Sequence, residues 1–291
     1  MKNTEALNRR SFMKTGLLGS TALAAAAGFP TLLFGAVAKV GQDPFHGLKV
    51  GIASYSLRKF TLDQAISMTK QAGVKYICLK DVHLSLKTTP AERLEARKKI
   101  EAAGLVLMGG GVIYINNKED EIRSVFEYAK DAGMPTIVAS PDPAAIDIVE
   151  KTARQYKIRV AIHNHGPGDK RYPSPLDVLK MVKDRDELMG ICMDVGHTVR
   201  IGEDPVAVLK QCASRMYDFH IKDVTQATAK GEPIEVGKGV IDTVAVLKTL
   251  VSLKFPYHVA LEYEANADAP MPGIIGSFTY MRKVLSEMDS V

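Results

Sequence analysis

From Leu48 onward, short apolar runs alternate with amphipathic stretches of ten to fifteen residues, and the alternation repeats eight times. Parallel strands cannot be joined by a tight hairpin. They need a crossover of a dozen or more residues, so this rhythm reads as consecutive βαβ units. Strands are expected at 48–53, 74–79, 105–108, 135–139, 159–162, 189–193, 217–221 and 257–261. Helix starts are marked between them by Thr61-Leu62-Asp63-Gln64, Thr89-Pro90-Ala91-Glu92 and Ser174-Pro175-Leu176-Asp177, capping boxes or close relatives, and by Asp204-Pro205, a cap followed by proline at the first helical position. Gly73, Gly104 and Gly133 stand where helices should stop. Eight units in about 250 residues is the size of a closed barrel. The expected class is therefore α/β, a single (β/α)8 TIM barrel over residues 39–291.

The doubly wound open sheet is the main rival. It typically carries a glycine-rich fingerprint after the first strand, and Val50-Gly51-Ile52-Ala53-Ser54 has none. Gly109-Gly110-Gly111 lacks the spacing of a nucleotide loop and points instead to close backbone approach.

Residues 1–38 read as an address rather than as fold. Asn8-Arg9-Arg10-Ser11-Phe12-Met13-Lys14 has the twin-arginine pattern, a weakly apolar Ala- and Gly-rich stretch follows, and Ala36-Val37-Ala38 suits a signal peptidase. The expectation is a twin-arginine signal peptide, bacterial export to the periplasm through the twin-arginine machinery, and cleavage near Ala38. A membrane anchor is the alternative for this stretch. No Cys follows the leader, which disfavours a lipoprotein.

The formal charge is +5, of which Lys2, Arg9, Arg10 and Lys14 less Glu5 supply +3. The remaining +2 implies no basic face, so nucleic acid is not an expected partner. Cys78, Cys192 and Cys212 are far apart and odd in number, and read as small buried hydrophobes.

The chemistry sits at the strand ends. Ile162-His163-Asn164-His165-Gly166, Met193-Asp194-Val195-Gly196-His197, Phe219-His220-Ile221-Lys222-Asp223 and Leu261-Glu262-Tyr263-Glu264 each place ligand-type residues after an apolar run. Barrel strands end on one rim, so these carboxylates and imidazoles would converge and could surround a divalent metal. Five of the seven histidines, His83, His163, His165, His197 and His220, fall at or just past a strand end. Lys80 interrupts the apolar run of the second strand and could point into the barrel mouth, where burial and a nearby cation would make it a usable base, with His83 just beyond it.

The segments 193–197 and 219–223, Val236-Gly237-Lys238-Gly239-Val240-Ile241-Asp242 and Ala260-Leu261-Glu262 resemble the motifs of the xylose isomerase-like sugar phosphate isomerase/epimerase superfamily, most strongly over 161–264. The resemblance implies a TIM barrel holding Mn, Mg, Co or Zn. By position it makes Asp194, His220 and Glu262 ligands and sets His197 beside the metal or the substrate. One position departs: His163 stands where the family's epimerases carry a glutamate. Imidazole can replace that glutamate as a ligand but cannot also serve as a base, so a symmetric two-glutamate epimerase is disfavoured. The expected metal set is His163, Asp194, His220 and Glu262. Lys80, His83 or His165 would move protons, and His197, Lys222 and Lys238 would contact substrate, Lys222 and Asp223 otherwise acting as salt-bridge partners.

A metal of this kind holds a hydroxy-ketone through two oxygens and stabilises the enediolate left when the neighbouring C–H is removed. Export argues against a phosphorylated substrate. The favoured expectation is a lyase on an exported carbohydrate, a 3-keto-glycoside supplied by a separate sugar dehydrogenase. The alternatives are a sugar isomerase or epimerase, a metal-dependent phosphodiesterase or endonuclease, and a non-catalytic sugar-binding barrel.

Overall fold

A computed structural model describes residues 43–290. The leader, and with it the signal-peptide and anchor readings, lies outside the described residues. Eight parallel strands close a barrel in the order β1-β10-β7-β6-β5-β4-β3-β2. They are β1 (Lys49–Ala53), β2 (Tyr76–Leu79), β3 (Val106–Ile115), β4 (Thr136–Pro141), β5 (Arg159–His163), β6 (Met189–Asp194), β7 (Met216–Ile221) and, after two short strands, β10 (His258–Leu261). All eight expected strands are present. The ring closes where Lys49 to Ile52 pair with His258 to Leu261. The two short strands, β8 (Asp223–Val224) and β9 (Pro233–Ile234), form an antiparallel hairpin between β7 and the next helix.

The helices α1 (Leu62–Gln71), α2 (Pro90–Ala102), α3 (Glu119–Ala132), α4 (Ile146–Tyr156), α5 (Pro175–Val182), α6 (Val195–Arg200), α7 (Pro205–Cys212) and α8 (Thr243–Ser252) fill the crossovers, and α9 (Met271–Ser286) follows the last strand. Their starts follow the expected chemistry. Thr61 and Thr89 make full capping boxes with Gln64 and Glu92, Ser174 accepts from Leu176 N, and Asp204 accepts from Val206 N and Ala207 N ahead of Pro205. α3 has no side-chain cap but opens with Glu119, Asp120 and Glu121 at the positive end of its dipole.

β3 runs seven residues past its expected end, through the glycine run. Glycine disfavours a strand by propensity but here lets one form: a Cβ on Gly109 would lie 2.6 Å from Thr136 O, and one on Gly111 2.0 Å from Val138 O. The strand thereby reaches the barrel mouth and delivers Tyr114 there.

Strand side chains alternate, so parity assigns each residue to the helix layer or the barrel interior. Val50, Ile52, Ile77, Leu79, Val160, Ile162, Phe219, Ile221, Val259 and Leu261 pack in the outer core, while Cys78, Val138, Ala161 and Cys192 form a small separate cluster with Tyr217, which breaks the parity of β7 where its register against β6 shifts. All three cysteines are free and buried, as expected, Cys78 and Cys192 on β2 and β6 and Cys212 at the end of α7.

Candidate metal centre

The same parity brings His163 from β5, Asp194 from β6, His220 from β7 and Glu262 from just past β10 to one place at the mouth. All four are buried, and one ligand atom from each lies within 4.8 Å of every other. His163 Nε2 is 3.2 Å from His220 Nδ1 and 3.5 Å from Asp194 Oδ2. His220 Nδ1 is 3.4 Å from Glu262 Oε2 and 3.9 Å from Asp194 Oδ2. Donors about 2.1 Å from a tetrahedral ion stand roughly 3.4 Å apart, so these separations suit one divalent cation. Asp194 Oδ2 is buried with no well-aligned hydrogen bond and only the Lys222 ammonium beside it, which leaves a lone pair that such an ion could take.

Lys222, two residues past His220 and so on the same face, lies against this cluster. Its Nζ is 2.9 Å from Asp194 Oδ2, 2.7 Å from Glu262 Oε2 and 2.6 Å from Glu264 Oε1. Gly196 makes room for it: a Cβ there would meet the Lys222 stem at 2.6 Å. Burial alone would push the ammonium's pKa down, but Asp194, Glu262 and Glu264 outweigh it and hold the group well above its ordinary value. Burial opposes charge on Asp194 and Glu262 too, yet Lys222 keeps both carboxyls well below the usual range.

The two imidazoles of the cluster diverge. Burial drives His163 down to about 3. Burial pushes His220 the same way, but Glu262, with Asp218 and Asp194, outweighs it and raises His220 to about 9. Without metal at neutral pH, His220 is therefore protonated and its Nδ1–H can donate to the neutral His163 Nε2. A cation must displace that proton, so metal affinity is expected to rise about tenfold per pH unit from pH 6.5 toward 9 and then level off. Competition titrations against a chelator across that range check it; a flat profile contradicts the assignment. For the metal-free protein the sign is opposite. The raised pKa contributes stability below about 6.5 that is lost as pH rises through about 9.

Above the cluster is a cavity of about 310 Å³ lined by Tyr55, Lys80, Tyr114, His165, His197 and Glu264 among others. The ring of His165 is 4.5 Å from that of His163, its Nδ1 is 3.5 Å from Asp169 Oδ2, and its Nε2 is 3.2 Å from the Tyr114 hydroxyl. His197 Nδ1 faces Arg200 Nη1 at 3.3 Å, and Arg200 also donates to Ala229 O of the hairpin loop. Burial lowers the pKa of both His165 and His197, so both are neutral near pH 7 and can accept a proton. Lys80 reaches the cavity, where its Nζ donates to Val112 O at 2.8 Å.

Three expectations need correction. His83 is buried outside the cavity, with Nδ1 2.9 Å from Ser54 Oγ and Nε2 3.2 Å from Leu57 O, so both nitrogens are engaged in joining the β1 and β2 loops. Lys238 is exposed and pairs with Glu235 on its own loop. Asp223 holds that loop in place, its carboxylate accepting from Gly237 N, Gly239 N and Ile241 N. Lys222 is buried with its Nζ engaged by Asp194, Glu262 and Glu264, which gives it the salt-bridge role and turns it away from the cavity. Tyr55, Tyr114, Asp169 and Glu264 were not anticipated. Only Glu264 carried a signal, being two residues past Glu262 on an alternating segment.

Residues 66–284 match the family described as xylose isomerase-like TIM barrel. The chain is 25% identical to an inosose dehydratase of Lacticaseibacillus casei over 150 residues, 50% of each chain. It thus spans about half the length of that relative. Among solved structures, an uncharacterised protein of Parabacteroides distasonis is similar with a TM-score of 0.64 at 27% identity, covering 81% of this chain and 99% of that one. The 3-keto-D-glucoside 4-epimerase of E. coli gives a TM-score of 0.64 at 14% identity over 81% of this chain and 99% of the other, a likeness of fold.

Proposed function

This chain belongs to the xylose isomerase-like TIM barrel family, and on that premise we propose that it is a divalent-metal-dependent lyase acting on a keto-sugar, with a 3-keto-glycoside as substrate. The observation that carries the reading is the asymmetry of the centre. It has one glutamate at the donor cluster, Glu262, and an imidazole, His163, at the facing position. Two-sided proton exchange needs a base on each face of the sugar. With His163 in place of a glutamate no glutamate pair is available for that exchange, and an imidazole base beside a departing group on the neighbouring carbon gives β-elimination instead.

A bound divalent ion supplies Lewis-acid polarisation of a carbonyl oxygen, which makes the adjacent C–H acidic. His163, Asp194, His220 and Glu262 would hold it, and Lys222 keeps both carboxylates ionised and aimed inward. His165 takes the proton from C2 of a 3-keto-glucoside at Nε2 once the Tyr114 hydroxyl gives up its bond there, with Asp169 behind Nδ1 stabilising the resulting cation. The electron pair of that C–H bond forms the C1–C2 double bond as the C1–O bond breaks. The departing alkoxide takes a proton from water, leaving an unsaturated keto-sugar and a free alcohol. Lys80 and Tyr55 line the same cavity and can donate hydrogen bonds to sugar hydroxyls.

Metal-loaded protein incubated with a 3-keto-glucoside in deuterated water should release the alcohol, and a free 3-keto-hexose should take up deuterium beside the carbonyl. No release and no exchange into any keto-sugar would sink the reading. Loss of water from a free keto-cyclitol is the second reading, favoured by the similarity to inosose dehydratase. We also propose residues 1–38 as a twin-arginine signal, which would place the enzyme in the periplasm downstream of a dehydrogenase that makes the ketone.

A further inference from the structure

The donor cavity is not alone at the barrel mouth. Between the loop after β2 and the start of α3 lies a second cleft of about 270 Å³, with Leu86, Ile115 and Val125 supplying apolar surface and Lys87, Asn116 and Glu121 polar groups. Tyr114 lines both spaces and is the residue they share. Its side chain is the most exposed large apolar or aromatic one among the described residues, at 58%, yet it is not loose. The ring stacks on His165 at 5.6 Å and 24°, and the hydroxyl is tied to His165 Nε2. An aromatic ring held by the site and left open on the outside is a platform, not part of the core.

The inner cavity, about 310 Å³, lies at the low end of the ~300–1,000 Å³ of small-molecule sites and has room for one sugar ring. We propose that the outer cleft is a subsite for the second ring of a glycoside: the ketone-bearing ring lies over the donor cluster and the leaving-group ring, glycosyl or aryl, lies against Tyr114. This rests on the keto-sugar reading of the inner cavity and selects among its substrates, since departing water would need no such space. A six-membered ring with an apolar face and a polar edge matches a Tyr face beside lysine, asparagine and glutamate.

The test uses glucosides without a ketone, which bind but cannot eliminate. Isothermal titration of the Mn(II)-loaded full chain with methyl glucoside, phenyl glucoside and cellobiose should show at least tenfold tighter binding of one or both ring-bearing ligands. Which one is preferred tells aryl from glycosyl. Ser124 is exposed on α3 and lines the cleft, so Ser124→Trp fills it and should erase the preference. Tyr114→Phe should keep the preference and Tyr114→Ala lose it, whereas a role confined to the hydroxyl would make both variants fail alike. Equal affinities for all three ligands, no binding by any, or a preference that Ser124→Trp leaves intact overturns the subsite. Alcohol release from a 3-keto-glucoside with no ring preference would defeat the subsite alone. Ring preference without turnover or exchange would defeat the lyase reading alone.

Discussion

Asp194→Asn is expected to abolish divalent-metal binding at the proposed centre while leaving the barrel folded. The structural bonds at this position survive the change. Asp194 Oδ1 accepts from His197 N at 2.8 Å to cap α6, and an amide oxygen can do the same. Its main chain is fixed independently, with Asp194 N donating to Asn164 Oδ1 and Asp194 O accepting from Thr198 Oγ1. What disappears is the charge on Oδ2, the atom facing His163, His220 and Lys222. Lys222 keeps Glu262 and Glu264 as partners, so no buried cation is left alone. Metal affinity should fall by about 100-fold or more, and turnover by roughly 10²–10³. Metal content after dialysis, read beside the circular dichroism melt, checks both halves. A variant that keeps one equivalent of metal would mean that Asp194 is not a ligand.

That this centre could be read from the chain at all follows from parity and topology. Once eight apolar runs are taken as barrel strands, every strand end lies on one rim, and residues two apart share a face. His163 with His165, His220 with Lys222, and Glu262 with Glu264 are such pairs. The interior position of Asp194 follows from Cys192 in the same way. Parity fails beyond the strand, where a loop chooses its own direction. His83 and Lys238 both lie near the rim in sequence, but one turns under the mouth to bond Ser54 and Leu57, and the other is carried outward on a loop that Asp223 organises. Tyr114 was hidden for a different reason. Three glycines ahead of it carry no hydrophobic period and no strand propensity, and only the close approach of β4 shows that the strand continues through them. Lys222 was legible as an inward residue and a salt-bridge partner. That it meets three carboxylates at once was not, since Glu264 and Asp194 come from different strands.

Lys222→Met should produce the largest change in stability, and one that metal repairs. The ammonium is buried and touches Asp194, Glu262 and Glu264 at 2.9, 2.7 and 2.6 Å. Methionine fills much of the same volume without charge, so the loss is electrostatic. Two buried carboxylates then face each other with His220 as their remaining cation, and breaking a buried ion pair from one side costs about 3–5 kcal/mol. At roughly 2–4 °C per kcal/mol for a domain of this size, the metal-free variant should melt about 6–20 °C below the metal-free parent. The pH dependence has a definite sign. Asp194 and Glu262 have pKa values held below their unfolded ones by Lys222, so their contribution is present above about pH 4.5 and fades as pH falls toward the folded values. The gap between parent and variant should therefore be widest near neutrality and close in acid. Saturating Mn(II) puts a dication among the same carboxylates and should narrow the neutral-pH gap to less than half. Differential scanning calorimetry with and without metal, at pH 7 and in steps down to about pH 2.5, separates the cases. A gap that ignores both pH and metal would mean that the lysine contributes packing alone, and that the carboxylates do not converge on a cation site.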